Sequence, residues 1–253
     1  FPTDLNELVV INHLDNKLLI NKTTTAVKLK YGLYEKSEFD FLRRNIRSSD
    51  ICLDIGANIG AYTIFLAKHT KKVLAFEPIK LNRAIIKFNA ELNSLQNIEL
   101  EKTALSDFDG ENEFLVVNES ILSGLVSCDL DNQIKYLKNT YNAFVKKIIK
   151  IQCKKLDSYN LEKIDVLKID VEGSELKVIN GGIKTIKKCK PRLIMMECEN
   201  DALKLFQNDL DEIIQKMISI DYQPLILKEG KLTTFDLNCD EQFENLFFKP
   251  IYH

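Results

Sequence analysis

A doubly wound α/β sheet is the fold the sequence predicts, and three observations predict it. The first is Asp50 to Ala67, D-I-C-L-D-I-G-A-N-I-G-A-Y-T-I-F-L-A, which runs a strand, a glycine turn and an apolar helix together without a break. Ile51 to Ile55 is largely apolar and alternates little, as a parallel strand covered on both faces should. The second is Val73-Leu-Ala-Phe-Glu77-Pro78, another apolar strand ending in a carboxylate. The third is the alternation of strand and helix patterns as far as Cys198, which builds an open sheet with helices on both faces.

Taken in order, Leu8 to Asn12 and Lys17 to Ile20 read as a hairpin around Asp15-Asn16, and residues 35 to 47 read as a helix with Ser37 as its cap. Residues 1 to 47 are therefore expected to be an N-terminal extension serving as a lid or as the contact of a homo-oligomer. The main domain, 48 to 253, gives strand 51–55, helix 60–71, strand 73–77, helix 80–93, strand 98–103, strand 164–169, helix 174–187 and strand 193–198. An amphipathic helix from Ala202 to Ile220 and strands near Gln223–Leu227 and Asn245–Lys249 follow. Residues 118 to 150 form an insert between core strands, where loops shape active sites. Its Tyr136, Tyr141, Lys135 and Lys138 are candidate acceptor contacts, or the exposed face of a surface helix.

Composition narrows the function. A chain of 253 residues can bury one sizeable core, and its net charge of −2 is a poor start for displacing counterions from nucleic acid. Arginine occurs only at 43, 44, 47, 83 and 192, so bidentate phosphate clamps are few. The six cysteines, at 52, 128, 153, 189, 198 and 239, show no C-x-x-C pairing and are expected to be reduced thiols. No apolar run approaches the roughly 20 residues of a membrane span, and no basic-then-apolar signal opens the sequence. A cytoplasmic location is the expectation. The opening Phe1-Pro2 reads as a start inside a longer protein.

The glycine loop points to a class of ligand. A dinucleotide loop, G-x-G-x-x-G, delivers pyrophosphate to helix amides. Here the loop is Asp54-x-Gly56-x-Asn58-x-Gly60, and Asp54 would repel a phosphate. S-adenosylmethionine, with an ammonium, a sulfonium and no phosphate, suits it better. Gly56 can take positive φ and admit a ligand to the backbone, while Gly60 can let helix and strand pack closely. Glu77 ends the second strand about 20 residues on, where such folds place the acid that holds the ribose hydroxyls. Asp107 can accept a hydrogen bond from an adenine amino group, or it can form a turn with Gly110 before Glu111 to Val117.

Four blocks, Asp54-Ile-Gly-Ala-Asn-Ile-Gly60, Ala75-Phe-Glu-Pro78, Ala104-Leu-Ser106-Asp107 and Leu167-Lys-Ile-Asp-Val-Glu-Gly173, together resemble the FkbM family of S-adenosylmethionine-dependent methyltransferases, in the family's order. The resemblance covers roughly residues 35 to 200. It implies a class I methyltransferase (Rossmann-like) fold, a seven-stranded sheet with its last strand antiparallel, and O-methylation of hydroxyls on sugars or polyketide-like products. It also implies cofactor-binding roles for Asp54, Gly56, Asn58, Gly60, Glu77, Ser106 and Asp107. A nucleotide-linked sugar or a surface polysaccharide of a bacterial source is the expected acceptor.

Methyl transfer is an in-line displacement, and an alcohol acceptor calls for a base or a Lewis-acid metal. Strand 164–169 ends at Asp170-Val-Glu172, at the carboxyl edge where ligands bind, and the next strand ends at Glu197-Cys-Glu199. Asp170 and Glu172 are the candidate catalytic acids. One mechanism holds Mg²⁺ or Mn²⁺ on Asp170 with Glu197 or Glu199; the other uses Glu172 or Asp170 directly as the base. Glu172 can alternatively cap the following helix. A nicotinamide-dependent oxidoreductase, an O-methyltransferase of a non-sugar molecule and an inactive binding module on the same sheet are the competing readings.

Overall fold

The computed structural model describes residues 8–21, 34–117, 124–126, 130–141, 144–198, 200–206, 208–236, 243 and 245–251. Its elements are β1 (Leu8–His13), β2 (Asn16–Asn21), α1 (Lys36–Asn45), β3 (Ile51–Ile55), α2 (Ala61–His69), β4 (Lys72–Phe76), α3 (Lys80–Leu92), β5 (Ile98–Glu101), β6 (Ala104–Leu105) and β7 (Gly110–Val117). There follow α4 (Leu130–Tyr141), β8 (Val145–Lys154), β9 (Val166–Ile169), α5 (Glu175–Cys189), β10 (Leu193–Glu197), α6 (Asn200–Leu205), α7 (Leu210–Ile218), β11 (Tyr222–Lys228), β12 (Lys231–Thr234) and β13 (Asn245–Pro250).

The central sheet has eight strands in the order β12-β11-β13-β10-β9-β3-β4-β5. Pairs among β5, β4, β3, β9 and β10 are parallel, whereas β13 runs antiparallel to both β10 and β11. Seven of these strands are the expected ones. The eighth, β12, returns from β11 through Glu229 and Gly230, both at positive φ, and was not read from the sequence. The order reverses between β3 and β9, because the chain builds outward from β3 through β4 to β5 and then comes back to its other side.

Alternation along the strands divides the core into two layers. Leu53, Ile55, Leu167, Ile169, Ile194 and Met196 face α5 and α7, packing on Val178, Ile179, Ile213 and Met217. Cys52, Val73, Ala75, Val166, Leu193 and Met195 face α1 and α2, packing on Phe39, Leu42, Tyr62 and Phe65. Helix α1 is thus part of the layer over the sheet, and Phe41 meets Phe247 of β13 edge-on, with ring centroids 5.2 Å apart.

The β1–β2 hairpin forms as expected, with its tight turn at Leu14 and Asp15, both left-handed. It packs on α2 and α3 through Ile11, Leu18 and Ile20. The edge of β2 is satisfied by two side chains of α3. Asn89 accepts from Leu19 N at 2.6 Å and Asn93 accepts from Lys17 N at 2.9 Å. An i,i+4 step on a helix, about 6 Å, nearly matches the two-residue repeat of a strand, about 6.6 Å, so one helix face can read alternate residues of an edge strand.

Three local expectations are corrected. Helix α1 begins after Glu35, which is left-handed, and Ser37 makes no cap but bonds Glu38 instead. The helix expected from Ala202 to Ile220 is two helices, broken where Asn208 donates to Gly173 O at 3.0 Å and Asp209 caps α7 through Asp211 N. The insert, expected as loops or a surface helix, holds α4 and the start of β8, and β8 pairs with β6 and β7 in a separate sheet ordered β6-β8-β7.

Asn89 is fully buried and also donates to Ile59 O at 3.1 Å. Replacing it by alanine leaves the Leu19 N–H and the Ile59 carbonyl unpaired. Asn89→Ala is expected to lower unfolding free energy by about 1–3 kcal/mol in a denaturant titration, and to expose the hairpin to proteolysis first.

Candidate active site

Strand register assembles the site. Asp54 on β3 is the register partner of both Ala75 on β4 and Lys168 on β9, and Lys168 is the partner of Met195 on β10. Two residues further along each strand, on the same face, the row becomes Glu77, Gly56, Asp170 and Glu197. Glycine is the one member without a side chain, and it lies between carboxylates. A Cβ on Gly56, whose φ is 80°, would sit 1.7 Å from the Asp170 carbonyl oxygen, so the loop can nest against the end of β9 only as glycine.

A cavity of about 590 Å³ opens at this edge. Gly56, Asn58, Glu77, Ile79 and Asn82 line one side, and Asp170, Val171, Glu172 and Ser174 the other. The β6 residues Ala104 and Leu105, with Phe114 of β7 and Gly124 and Leu125 of the insert, close over it. Among the described residues its lining includes three carboxylates and no lysine or arginine.

Glu77 is buried, and both its oxygens accept backbone N–H groups, from Asn58 at 2.8 Å and Ile79 at 2.7 Å. Burial pushes its carboxyl up to about 7 against these hydrogen bonds, which pull it down. Glu197 is raised well above the ordinary carboxylate range by desolvation and by the neighbouring charge and hydrogen bond of Asp170. Asp170, Glu172 and Glu197 offer oxygens that all lie within 4.8 Å of one another.

Glu172 and Gly173 are consecutive left-handed residues, φ 55° and 97°. Glu175 secures the turn, its Oε1 accepting from Val171 N at 3.1 Å and Gly173 N at 3.2 Å. Glu172 lines the cavity. Gly124 of the insert lies over Glu172, so close that a Cβ there would be 3.3 Å from that of Glu172.

Several expected site residues stand elsewhere. Asp54 is fully buried beneath the cavity; its Oδ2 accepts from Thr63 Oγ1 at 2.5 Å, while its Oδ1 faces Lys168 Nζ at 3.6 Å without a hydrogen-bond partner. Gly60 starts α2 with φ 91° and packs against Ile86 of α3, helix on helix rather than helix on strand. Ser106 is buried under α5, where its carbonyl would lie 1.9 Å from a Cβ on Gly181, and Asp107 is exposed in the turn leading to β7. Neither lines the cavity. Tyr136 packs with Val117, Leu137 and Val145 inside the insert, while Lys135 and Lys138 are exposed away from the lining. Glu199, the side chain of Tyr141, and Ser120, Ser123 and Ser127 lie outside the described residues, as do Cys128, Cys239 and His253. His13 and His69 pack on Phe39 and Phe65, away from this edge.

The sequence reading missed Lys168, Glu175 and the Phe114–Leu125 wall. For Lys168 a signal existed: one lysine inside a strand that is otherwise wholly apolar.

The protein matches the family described as the Methyltransferase FkbM domain over residues 54–224. It is 28% identical over 212 residues to the 2-O-methyltransferase NoeI of Sinorhizobium fredii (strain NBRC 101917 / NGR234), covering 80% of this chain and 82% of that protein. It is 25% identical over 147 residues to Methyltransferase 1 of Beauveria bassiana (strain ARSEF 2860), covering 51% of this chain and 57% of that one. Among solved structures, a methyltransferase FkbM from Methylobacillus flagellatus KT aligns with a TM-score of 0.50 at 16% identity, covering 81% of this chain and 44% of its own. Trm5b from Pyrococcus abyssi aligns with a TM-score of 0.50 at 12% identity, over 97% of this chain and 56% of its own. These structures share the fold. The chain spans only about half the length of the fungal relative and of the FkbM structure.

Two buried carboxyls give the fold a pH signature. Glu77 and Glu175 are both raised from 4.5 to about 7, chiefly by desolvation, so between those values the folded state holds more protons than the unfolded chain. Stability from these groups is therefore present below pH about 4.5 and lost as pH rises to about 7. Melting temperatures of the ligand-free protein should fall across that window. Glu175→Gln, which keeps the carbonyl that accepts from Val171 and Gly173, should flatten the fall.

Proposed function

The chain belongs to the FkbM methyltransferase family, and we propose that it transfers the methyl group of S-adenosylmethionine to a hydroxyl oxygen of a glycan. The observation that carries this is the cavity lining, which among the described residues holds Glu77, Asp170 and Glu172 and neither lysine nor arginine. Such a wall favours a sulfonium and disfavours the pyrophosphate of a nicotinamide cofactor.

When bound, the cofactor supplies an electrophilic methyl group on a positively charged sulfur. Glu77 is the residue that would accept hydrogen bonds from the ribose hydroxyls, with the Gly56–Asn58 loop beneath them. Glu172, held out from the end of β9 by its left-handed turn, takes the proton as the acceptor oxygen attacks. Asp170 accepts a hydrogen bond from a neighbouring hydroxyl of the glycan and so fixes the approach of the attacking oxygen behind the methyl group. Phe114 and Leu125 exclude water from this space.

The acceptor reading is supported by the similarity to the 2-O-methyltransferase NoeI over most of both chains. A hydroxyl on an uncharged part of a glycan suits the carboxylate-lined space better than a diphosphate carried into it. In a nucleotide sugar, the diphosphate would have to remain outside. A divalent cation is the second reading, favoured by the convergence of Asp170, Glu172 and Glu197. Against it, the Lys168 ammonium already stands 2.8 Å from Asp170 Oδ2 and would repel a second cation there.

The test is release of S-adenosylhomocysteine across neutral glycans, nucleotide sugars and non-sugar alcohols, each with and without EDTA. Turnover on a glycan that survives EDTA supports the base reading; loss with EDTA would transfer the three carboxylates to a metal. Glu172→Gln is expected to lower kcat by about 100-fold or more while leaving adenosylhomocysteine affinity nearly unchanged. Glu77→Gln should do the converse. Cofactor affinity of the parent protein should rise with pH towards about 7, where Glu77 ionises, and Glu77→Gln should abolish that rise.

A further inference from the structure

We propose that Lys168 is a positioning residue for methyl transfer, holding Asp170 in the orientation that presents the acceptor hydroxyl to Glu172. The inference rests on the reading of Asp170 and Glu172 given above.

A lysine in β9 needs a reason. Val166, Leu167 and Ile169 are fully buried, and the Lys168 side chain is itself only 7% exposed. An unpaired ammonium at that depth would be very costly. Nζ lies 2.8 Å from Asp170 Oδ2, 3.6 Å from Asp54 Oδ1 and 4.9 Å from the centre of the Tyr62 ring. Tyr62 in turn donates its hydroxyl to Glu35, at the entry to α1. The ammonium is therefore fixed from three sides.

The distances distinguish two roles. A lysine that merely balanced Asp54 would lie closest to Asp54, which is wholly buried and has Thr63 as its hydrogen-bond donor. Instead the shorter contact is to Asp170, the carboxylate that lines the cavity. Because residues 168 and 170 share a face of the strand, Lys168 reaches Asp170 from below the cavity floor and engages one oxygen. Burial works against the charge on Lys168, but Asp170 and Asp54 outweigh it and the amine is held protonated. Its donor is thus a fixed feature of the site before any substrate arrives.

The experiment compares four proteins on the glycan that the parent methylates: Lys168→Arg, Asp54→Asn, Asp54→Asn with Lys168→Met, and Asp170→Asn with Lys168→Arg, beside Asp170→Asn alone. Arginine preserves the charge facing Asp54 but cannot place a single N–H at the same point. The double neutral variant removes the buried ion pair without leaving Asp54 charged and alone, which guards against simple unfolding. Lys168→Arg and the Asp54→Asn/Lys168→Met variant are expected to lose on the order of 10- to 100-fold in kcat, with adenosylhomocysteine affinity and acceptor KM close to those of their partners with lysine. In the Asp170→Asn background the lysine change should add little further loss, because it acts through Asp170.

Parent-like kcat in Lys168→Arg would overturn the proposal and leave Lys168 as charge balance. Additive losses in the Asp170→Asn background would also overturn it. Should Asp170→Asn alone retain full kcat, the underlying assignment of Asp170 falls, which is a separate result from failure of Lys168. A loss confined to melting temperature or cofactor affinity, with kcat kept, would show a structural role only and count against the proposal.

Discussion

The pairing of β3 with β9 is the constraint on which the site depends. Their register sets Asp54 opposite Lys168 and Ile55 opposite Ile169, and every polar group at the edge follows from that alignment. What locks it is apolar. Leu53 and Ile55 share one face with Leu167 and Ile169, buried under α5, while Cys52 and Val166 face α1 and α2. A slip of one residue would turn both sets over. The hydrophobic core therefore fixes the register, and the row of Glu77, Gly56, Asp170 and Glu197 rides on it.

That row has an electrostatic consequence. Three of its four positions are carboxyl groups, crowded where water is partly excluded, and burial raises Glu77 and Glu197. A protein built only for stability would gain by replacing such groups with apolar ones. Grouped at the carboxyl ends of parallel strands, beside the point where strand order reverses, they form instead a site that favours positive charge. Lys168 supplies one such charge from within. It stands under the floor, so it orders Asp170 without occupying the cavity.

Much of this was legible in the sequence, because strands 51–55, 73–77 and 193–198 and the helices between them have the apolar runs and spacing that a covered parallel sheet demands. The loop glycines and Glu77 were legible for the same reason: their positions are set by distance from strand ends. For Asp54, Ser106 and Asp107 direction matters more than position, and motif spacing carries only position. Motif spacing puts Asp54 near the ligand, but only register shows that it points at Lys168 and Thr63. Ser106 looks like a loop residue until Gly181 brings α5 against its carbonyl. Sheet β6-β8-β7 was hidden because β8 carries lysines at 146, 147 and 150 among its apolar residues, which blurs the two-residue period.

The groups on the far side of the cavity come from segments without motifs, and this separates chemistry from selection. Glu172 is held by Glu175, two backbone hydrogen bonds and a strained left-handed turn, all local to the end of β9. Gly124 and Leu125 belong to the insert, and Leu125 packs with Phe114 of β7, Ile79, Ile151 and Phe206 in a cluster of their own. Because that cluster has its own apolar support, the wall over Glu172 can change in shape without disturbing the register beneath it. A fold arranged in this way can keep one base and one cofactor loop while admitting different hydroxyls. The glycine at 124 is the point of contact between the two parts, since any side chain there would press on Glu172 itself.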